Sequence, residues 1–266
     1  MSIPFAQASF PEMYEQLLVG PLFRPWADLT LDEIGLRPGD RVLDVACGTG
    51  TVARQARARL GESGTVVGVD VSGPMLEVAR RVAPDIDWRE GDAAALPLRE
   101  GEQFDVVICQ QGLQFFADRC APVREMYRAL APGGRVAVST WRPDDEIPFG
   151  RELRRVAEHH LGPVVDRRHC FGETGPLEAV LRDAGFRDVG SRTFSRTIRF
   201  ADGTVFVRLN AMALVGMSQA GKTMSDEERQ RLVQVITQDS EDVRRQYTDS
   251  EGLAFEILSN IATGIR

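Results

Sequence analysis

Val42-Leu43-Asp44-Val45-Ala46-Cys47-Gly48-Thr49-Gly50 is an apolar, β-branched run that ends in a glycine turn, and a helix-type stretch from Thr51 to Leu60 follows it directly. A strand entering a helix through such a turn suits a nucleotide. Amide N–H groups at the helix start face the ligand, and glycine puts no Cβ in its way. Outward from this unit, short β-branched runs at 41–46, 65–70, 86–90, 104–109 and 134–140 alternate with longer amphipathic stretches. The alternation predicts an α/β fold, a doubly wound and mostly parallel seven-stranded sheet. Runs such as Val66-Val67-Gly68-Val69 and Val106-Val107-Ile108 are apolar on successive residues, which requires helices on both faces of the sheet.

The flanks read as helical. Residues 1–38 carry a helical rhythm through Met13, Leu17, Leu18, Trp26, Leu29 and Ile34, ended by Pro38-Gly39-Asp40. Ser72 caps a helix with Pro74 in its first turn, and Ala131-Pro132-Gly133-Gly134 ends a helix over 119–130. Beyond Trp141, helices are predicted at 148–161, 176–184, 202–217 and 226–245, the last opened by the reciprocal pair Ser225 and Glu228. Strands are predicted at 188–200 and 253–261. One domain with an elaborated lid follows: an N-terminal helical cap (1–38), a ligand-binding core (39–200), a helical insertion or lid (201–252) and a last core strand (253–266).

Composition removes several function classes. The 266 residues are 43% hydrophobic, enough for a full core. No apolar stretch approaches the ~18 residues needed to span a bilayer, and the first twenty lack a basic start followed by an apolar run, so a cytoplasmic protein without a membrane span is expected. Cys47, Cys109, Cys120 and Cys170 form no CxxC pair and no metal-type spacing with His159, His160 and His169, so neither a metal site nor a disulfide framework is expected. The net charge is −7 and no dense arginine cluster stands out, which argues against a nucleic-acid surface. A homodimer is left open.

The next strand ends in Asp70, twenty residues after Gly50, where a carboxylate can accept hydrogen bonds from both hydroxyls of a ribose. Taken alone, the glycine pattern also fits nicotinamide and flavin dehydrogenases. Asp44, inside the first strand, would repel a pyrophosphate but could face an ammonium group. The field therefore favours an adenosine that carries a cationic sulfonium and an amino-acid tail. An NAD-dependent oxidoreductase stays open as the less favoured reading.

At these residues the segment resembles motif I of the class I S-adenosylmethionine-dependent methyltransferases, more closely those related to the ubiquinone and menaquinone C-methyltransferases. Further blocks follow in that family's order: Val66 to Ser72, Gly91 to Pro97, Phe104 to Ile108 and Ala129 to Val136, together covering about residues 40–141. The resemblance implies a Rossmann-like methyltransferase fold and S-adenosylmethionine as cofactor, with S-adenosylhomocysteine as product. It implies that Asp70 binds the ribose and Asp92 the adenine amino group, that the Ala93 backbone meets the adenine ring, and that Val71 and Met75 pack on it. Gln110, just past the fourth strand, would offer its carbonyl to the methionine ammonium, and Ala46, Gly48 and Gly50 would line the methionine tail. Many relatives have glycine where this chain has Cys47, read as a small buried substitute ahead of a reactive thiol.

Methyl transfer from a sulfonium is an in-line displacement with an activated donor, so position matters most and a base is optional. Base candidates are His159, His160, His169 and Tyr14, and no catalytic residue is assigned. The acceptor is expected to be small and partly hydrophobic, such as a quinone, a phenol or a natural-product intermediate. Its pocket walls are expected from the cap, from 111–116, from 141–149 and from Met212, Met217 and Met224, although the methionines read equally well as helix core. A non-catalytic S-adenosylmethionine-binding protein is the alternative from another class.

Overall fold

The computed structural model describes residues 9–266, so the first eight residues of the expected cap lie outside it. The described chain opens with helix α1 (Phe10–Met13), continues through Tyr14–Phe23 with wider i→i+5 turns, and closes the run with α2 (Arg24–Ile34). Pro21, which has no N–H to donate, sits inside the widened segment. The run stops at Gly35, in the left-handed region at φ +64°, three residues before the expected Pro38.

The first half of the chain then lays down β1 (Arg41–Val45), α3 (Thr51–Leu60), β2 (Thr65–Asp70), α4 (Gly73–Val82), β3 (Asp87–Glu90), β4 (Phe104–Gln110), α5 (Cys120–Ala129) and β5 (Leu130–Trp141). After these come α6 (Pro148–Leu161), α7 (Thr174–Asp183), β6 (Arg187–Phe200), α8 (Gly203–Met217), α9 (Gln219–Thr223), α10 (Asp226–Asp239), α11 (Glu241–Gln246), β7 (Thr248–Asp249) and β8 (Gly252–Ile265). The sheet order is β3-β2-β1-β4-β5-β8-β6, with the two-residue β7 pairing only β8. These seven strands are the predicted sheet. Pairs β1·β2, β1·β4, β2·β3 and β4·β5 are parallel.

β8 runs the other way. Gly133 donates to the Arg266 carbonyl and Arg142 to the Leu258 carbonyl, so numbers fall along β8 as they rise along β5. The side-chain pairs Thr193–Asn260 and Ser195–Glu256 repeat that sense against β6.

Several boundaries differ from expectation for local reasons. β4 includes Gln110, which pairs with Ser139 of β5. Helix α5 stops at Ala129, and Leu130 already pairs with Phe104. The next pair is Arg135 with Val106, so the intervening Pro-Gly-Gly residues bulge out of the ladder instead of preceding the strand. The long helix expected over 226–245 breaks at Ser240, whose buried hydroxyl turns back onto the Ile236 carbonyl. The Ser72 cap and the Ser225/Glu228 capping box form as read.

Contacts divide the chain into two compact units. The first comprises Met1–Thr140, Gly172–Thr193 and Asn260–Arg266, and holds most of the sheet. Its central strands β1 and β4 are dry on both sides: Val42, Leu43, Val45, Val106, Val107 and Ile108 are fully buried. The second comprises Trp141–Phe171 and Phe194–Ser259. There α6, α8 and α10 pack through Ala157, Leu214 and Ile236, with Met212 and Met217 against the same cluster, which favours the helix-core reading of those two methionines. Phe149 joins Phe206, Tyr247 and Phe255 at ring separations of 4.7–5.9 Å.

Within the first unit one aromatic side chain carries the glycine turn. Trp88 of β3 is buried, with its indole N–H on the Ala83 carbonyl at 2.8 Å. A Cβ on Gly50 would lie 2.1 Å from its ring, and one on Gly68 would lie 2.3 Å away. Both glycines are therefore required by the indole. Replacing Trp88 by Ala is expected to cost about 3–5 kcal/mol of unfolding free energy in urea titrations, as for large aromatic-to-alanine changes in cores. A loss under about 1 kcal/mol would show that the ring is not the support of the turn.

Candidate functional site

From β1 the chain steps outward to β2 and β3, then returns to the other side of β1 for β4 and β5. The reversal opens a crevice beyond the carboxyl ends of β1 and β4, the place where open α/β sheets bind ligands. Two non-glycine residues in the left-handed region stand there: Ala46 at φ +57°, just after β1, and Gln111 at φ +55°, just after β4. Strain of this kind is held where the surroundings over-determine the backbone. Gly112 fits beneath because a Cβ on it would meet the Ala46 methyl at 2.7 Å and the Cys109 sulfur at 2.9 Å.

The turn is pinned from both sides. Cys47 donates its N–H to the Val69 carbonyl at 3.1 Å, and Gly50 closes on the Cys47 carbonyl at 2.8 Å. Gly48 sits at φ +56° with nothing within 4 Å of where a Cβ would be, so its face of the turn is open. Thr49 is fully buried and its hydroxyl has no partner among the described residues.

Asp70 ends β2 with each carboxylate oxygen on a backbone amide, Gly48 N–H at 2.8 Å and Ser72 N–H at 2.8 Å. Each oxygen retains a lone pair for a ligand hydroxyl. Val71 beside it is 72% exposed, and Met75 in the first turn of α4 is half-buried. Gly91 donates to the Asp70 carbonyl, which draws the next loop to the same edge. In that loop Asp92 is exposed and accepts the Ala94 N–H at 2.9 Å, while Ala93 is buried. The fold thus gathers Ala46, Gly48, Asp70, Val71, Asp92 and Ala93 at neighbouring strand ends. Gly50 stands in the same turn, with the Trp88 ring filling the space where its Cβ would be.

Asp44 is 1% exposed and accepts the Ala53 N–H at 3.0 Å in the first turn of α3. Burial pushes its carboxyl up to about 8; the Ala53 amide opposes this and the Asp70 charge adds to it. Cys47 is also buried, and burial followed by the Asp44 and Asp70 charges raises its thiol well above the usual value. A thiol held protonated is a poor nucleophile, which supports its reading as a glycine substitute. Gln110 is the last residue of β4 and not a loop residue. Its amide donates to the Phe23 carbonyl and its oxygen lies 3.3 Å from the Thr30 hydroxyl, so the side chain ties the sheet to the helical run.

The base candidates separate. His159 and His160 are both exposed on α6, with His160 Nε2 at 2.8 Å from Asp239. His169 has Nδ1 at 2.8 Å from the Arg142 carbonyl, which can only accept, so Nδ1 carries the proton and Nε2 the lone pair. Burial lowers its pKa, so the ring stays neutral at neutral pH. Tyr14 behaves oppositely to a base: burial first, then Glu15, Asp70 and Asp44, push its phenol far up. It remains protonated and can donate. Sequence reasoning missed its link to the turn, because that link runs through the next residue: Glu15 pairs with Arg54 at 2.8 Å, and Arg54 Nε donates to the Gly50 carbonyl.

An adenosine with a charged amino-acid tail fits these groups. Asp70 has lone pairs to offer a ribose, exposed Val71 has apolar surface to offer a base, and the Cβ side of Gly48 is open.

Residues 42–134 match the family described as Methyltransferase domain. The chain is 36% identical over 199 residues to the 2-phytyl-1,4-naphtoquinone methyltransferase of Thermosynechococcus vestitus, covering 68% of this chain and 86% of that protein. It is 40% identical over 188 residues to the demethylmenaquinone methyltransferase of Beutenbergia cavernae, covering 65% and 76%. A crystal structure of a putative methyltransferase from Bacillus halodurans superposes with a TM-score of 0.57 at 21% identity, over 90% of this chain and 97% of that one, and shares the fold. Neither the oxidoreductase nor the non-catalytic reading finds support among these relatives. With its strand order, its glycine turn and its acidic strand ends, the chain belongs to the class I S-adenosylmethionine-dependent methyltransferases.

Proposed function

We propose that this enzyme methylates a ring carbon of a reduced, quinone-type aromatic acceptor. The observation that carries the reading is the similarity to the Thermosynechococcus naphthoquinone methyltransferase across 86% of that protein, far more than the cofactor motifs alone. The demethylmenaquinone relative points to the same acceptor class. S-adenosylmethionine supplies an electrophilic methyl on a sulfonium. A hydroquinone ring is a carbon nucleophile when a phenolic proton is shared or lost. The methyl–sulfur bond breaks as the carbon–carbon bond forms, and the ring proton leaves to solvent or a base.

In this reading the chain mostly holds and orients. Asp70, fixed by two amides, takes the ribose hydroxyls; Val71 and Met75 cover one side of the adenine, with Asp92 and the Ala93 backbone at its edge. Ala46 and Gly48 border the methionine tail, whose ammonium meets Asp44. Gln110 contributes backbone there while its side chain anchors the helical run. Such positioning is worth up to ~7–11 kcal/mol of the barrier in favourable cases.

The acceptor is tested by supplying reduced demethylated naphthoquinones with labelled donor. Label is expected on a ring carbon, and label on oxygen, or none with any quinol, would refute the proposal. Asp70→Ala is expected to weaken S-adenosylhomocysteine binding by at least the ~1–3 kcal/mol attached to charge-assisted hydrogen bonds, read by calorimetry. Unchanged affinity would remove Asp70 from the ribose.

Asp44 adds a pH signature. Its carboxyl titrates near 8 when folded and at ~3.9 when unfolded, so the native state holds an extra proton between those values. Its contribution to stability is therefore greatest at acid pH and is lost as pH rises through about 8. A ligand ammonium reverses the preference for the neutral form, so binding at pH 7 expels this proton. Titrations of S-adenosylhomocysteine in buffers of different ionisation enthalpy should show about one more proton released by the wild type than by Asp44→Asn. Equal proton counts would show that Asp44 does not face the ammonium.

A further inference from the structure

The donor site as described leaves one end of its ligand unmatched. An amino-acid tail carries an ammonium and a carboxylate. Asp44 answers the ammonium, but Asp44 and Asp70 both repel the carboxylate, which needs a hydrogen-bond donor in an acidic neighbourhood. Arg54 is the cation on α3 nearest the turn, and it is committed: its guanidinium pairs with Glu15 at 2.8 Å and caps the Gly50 carbonyl at 3.3 Å.

That pairing brings another donor to the turn. Glu15 lies in the widened helical segment, so its bond to Arg54 holds this segment against the start of α3. A second ion pair, Glu12 with Arg81 at 3.2 Å, holds the preceding turn to the far end of α4. Between these anchors sits Tyr14, its ring stacked on Phe23 with centroids 4.7 Å apart. Its hydroxyl has no hydrogen-bond partner among the described residues. After Glu15, the titratable groups that act on it are Asp70, Asp44 and Cys47, at the ends of β1 and β2 on either side of the glycine turn. The phenol stays protonated and so is a neutral donor, the kind of group that can meet a carboxylate without drawing Asp44 or Asp70 into an ion pair.

We propose that the Tyr14–Glu15 turn is a clamp on the donor: Glu15, tied through Arg54 to the Gly50 carbonyl, positions the Tyr14 hydroxyl to donate to the carboxylate of the methionine tail. This concerns the donor alone, so its failure leaves the quinone reading untouched.

Tyr14→Phe keeps the ring and its stacking on Phe23 and removes only the hydroxyl. Its binding of two ligands separates the roles by calorimetry. S-adenosylhomocysteine has the amino-acid tail, and 5′-methylthioadenosine keeps the adenosine and sulfur without it. The variant is expected to bind S-adenosylhomocysteine about 10-fold or more weaker, the loss of one hydrogen bond to a charged group. Methylthioadenosine affinity and the thermal midpoint should be unchanged. Glu15→Gln should show the same ligand selectivity with a smaller loss. Equal weakening for both ligands, or unchanged affinity for both, overturns the proposal.

Discussion

The indole of Trp88 sits where two side chains would otherwise be, those of Gly50 and Gly68, and the donor site depends on that packing. Gly50 must accept a left-handed φ of +84° and Gly68 must leave its side of β2 bare, so that turn and strand close on one rigid ring. With Gly50 fixed, Gly48 presents its N–H to Asp70, and Asp70 in turn is held at the end of β2. A loop that binds through backbone has no rotamers to lock, so its precision comes from what lies beneath it. The glycines of this turn thus differ: the Cβ side of Gly50 is filled by the indole, while that of Gly48 is open.

Asp44 shows a second cost of the same design. A carboxylate inside a fully covered strand is disfavoured by burial, and one amide from α3 offsets only part of that. In the proposed function Asp44 is a group kept neutral until a cation arrives, so that the empty site carries less charge than the filled one. Burial first, and the acidic neighbours after it, raise Tyr14 and Cys47 as well, so Asp44, Tyr14 and Cys47 are all pushed toward their protonated forms around the turn.

The fold was legible because its signals are local and periodic. Successive apolar residues at Val66–Val69 and Val106–Ile108 announced strands buried on both faces, and Ser72 and Ser225 marked helix starts that the structure keeps. What escaped was decided by contacts distant in sequence. Gln110 reads as a loop residue until Ser139 pairs with it, and nothing near Gly50 in the sequence announces that Trp88, thirty-eight positions later, fills the space beside it. The break at Ser240 has a local cause, a hydroxyl returning to Ile236, yet serine inside a charged helical pattern gives little warning of it.

The donor half of the site can be proposed from sequence because its ligand never changes: a ribose, an adenine and an amino-acid tail demand the same few groups at fixed strand ends, and the candidate groups fall within a hundred consecutive residues. An aromatic acceptor makes no such demand. It is held by apolar contact area, which many combinations of Leu, Phe and Met supply equally well. Met212 and Met217 illustrate the difficulty, since the residues that looked suited to an acceptor pack against Leu214 and Ile236 as ordinary core. Recognition by shape leaves no spacing to read, whereas recognition by hydrogen bonds does. The acceptor must therefore be approached through similarity along the whole chain and through the product it makes, while the donor follows from chemistry at Asp44, Gly48 and Asp70.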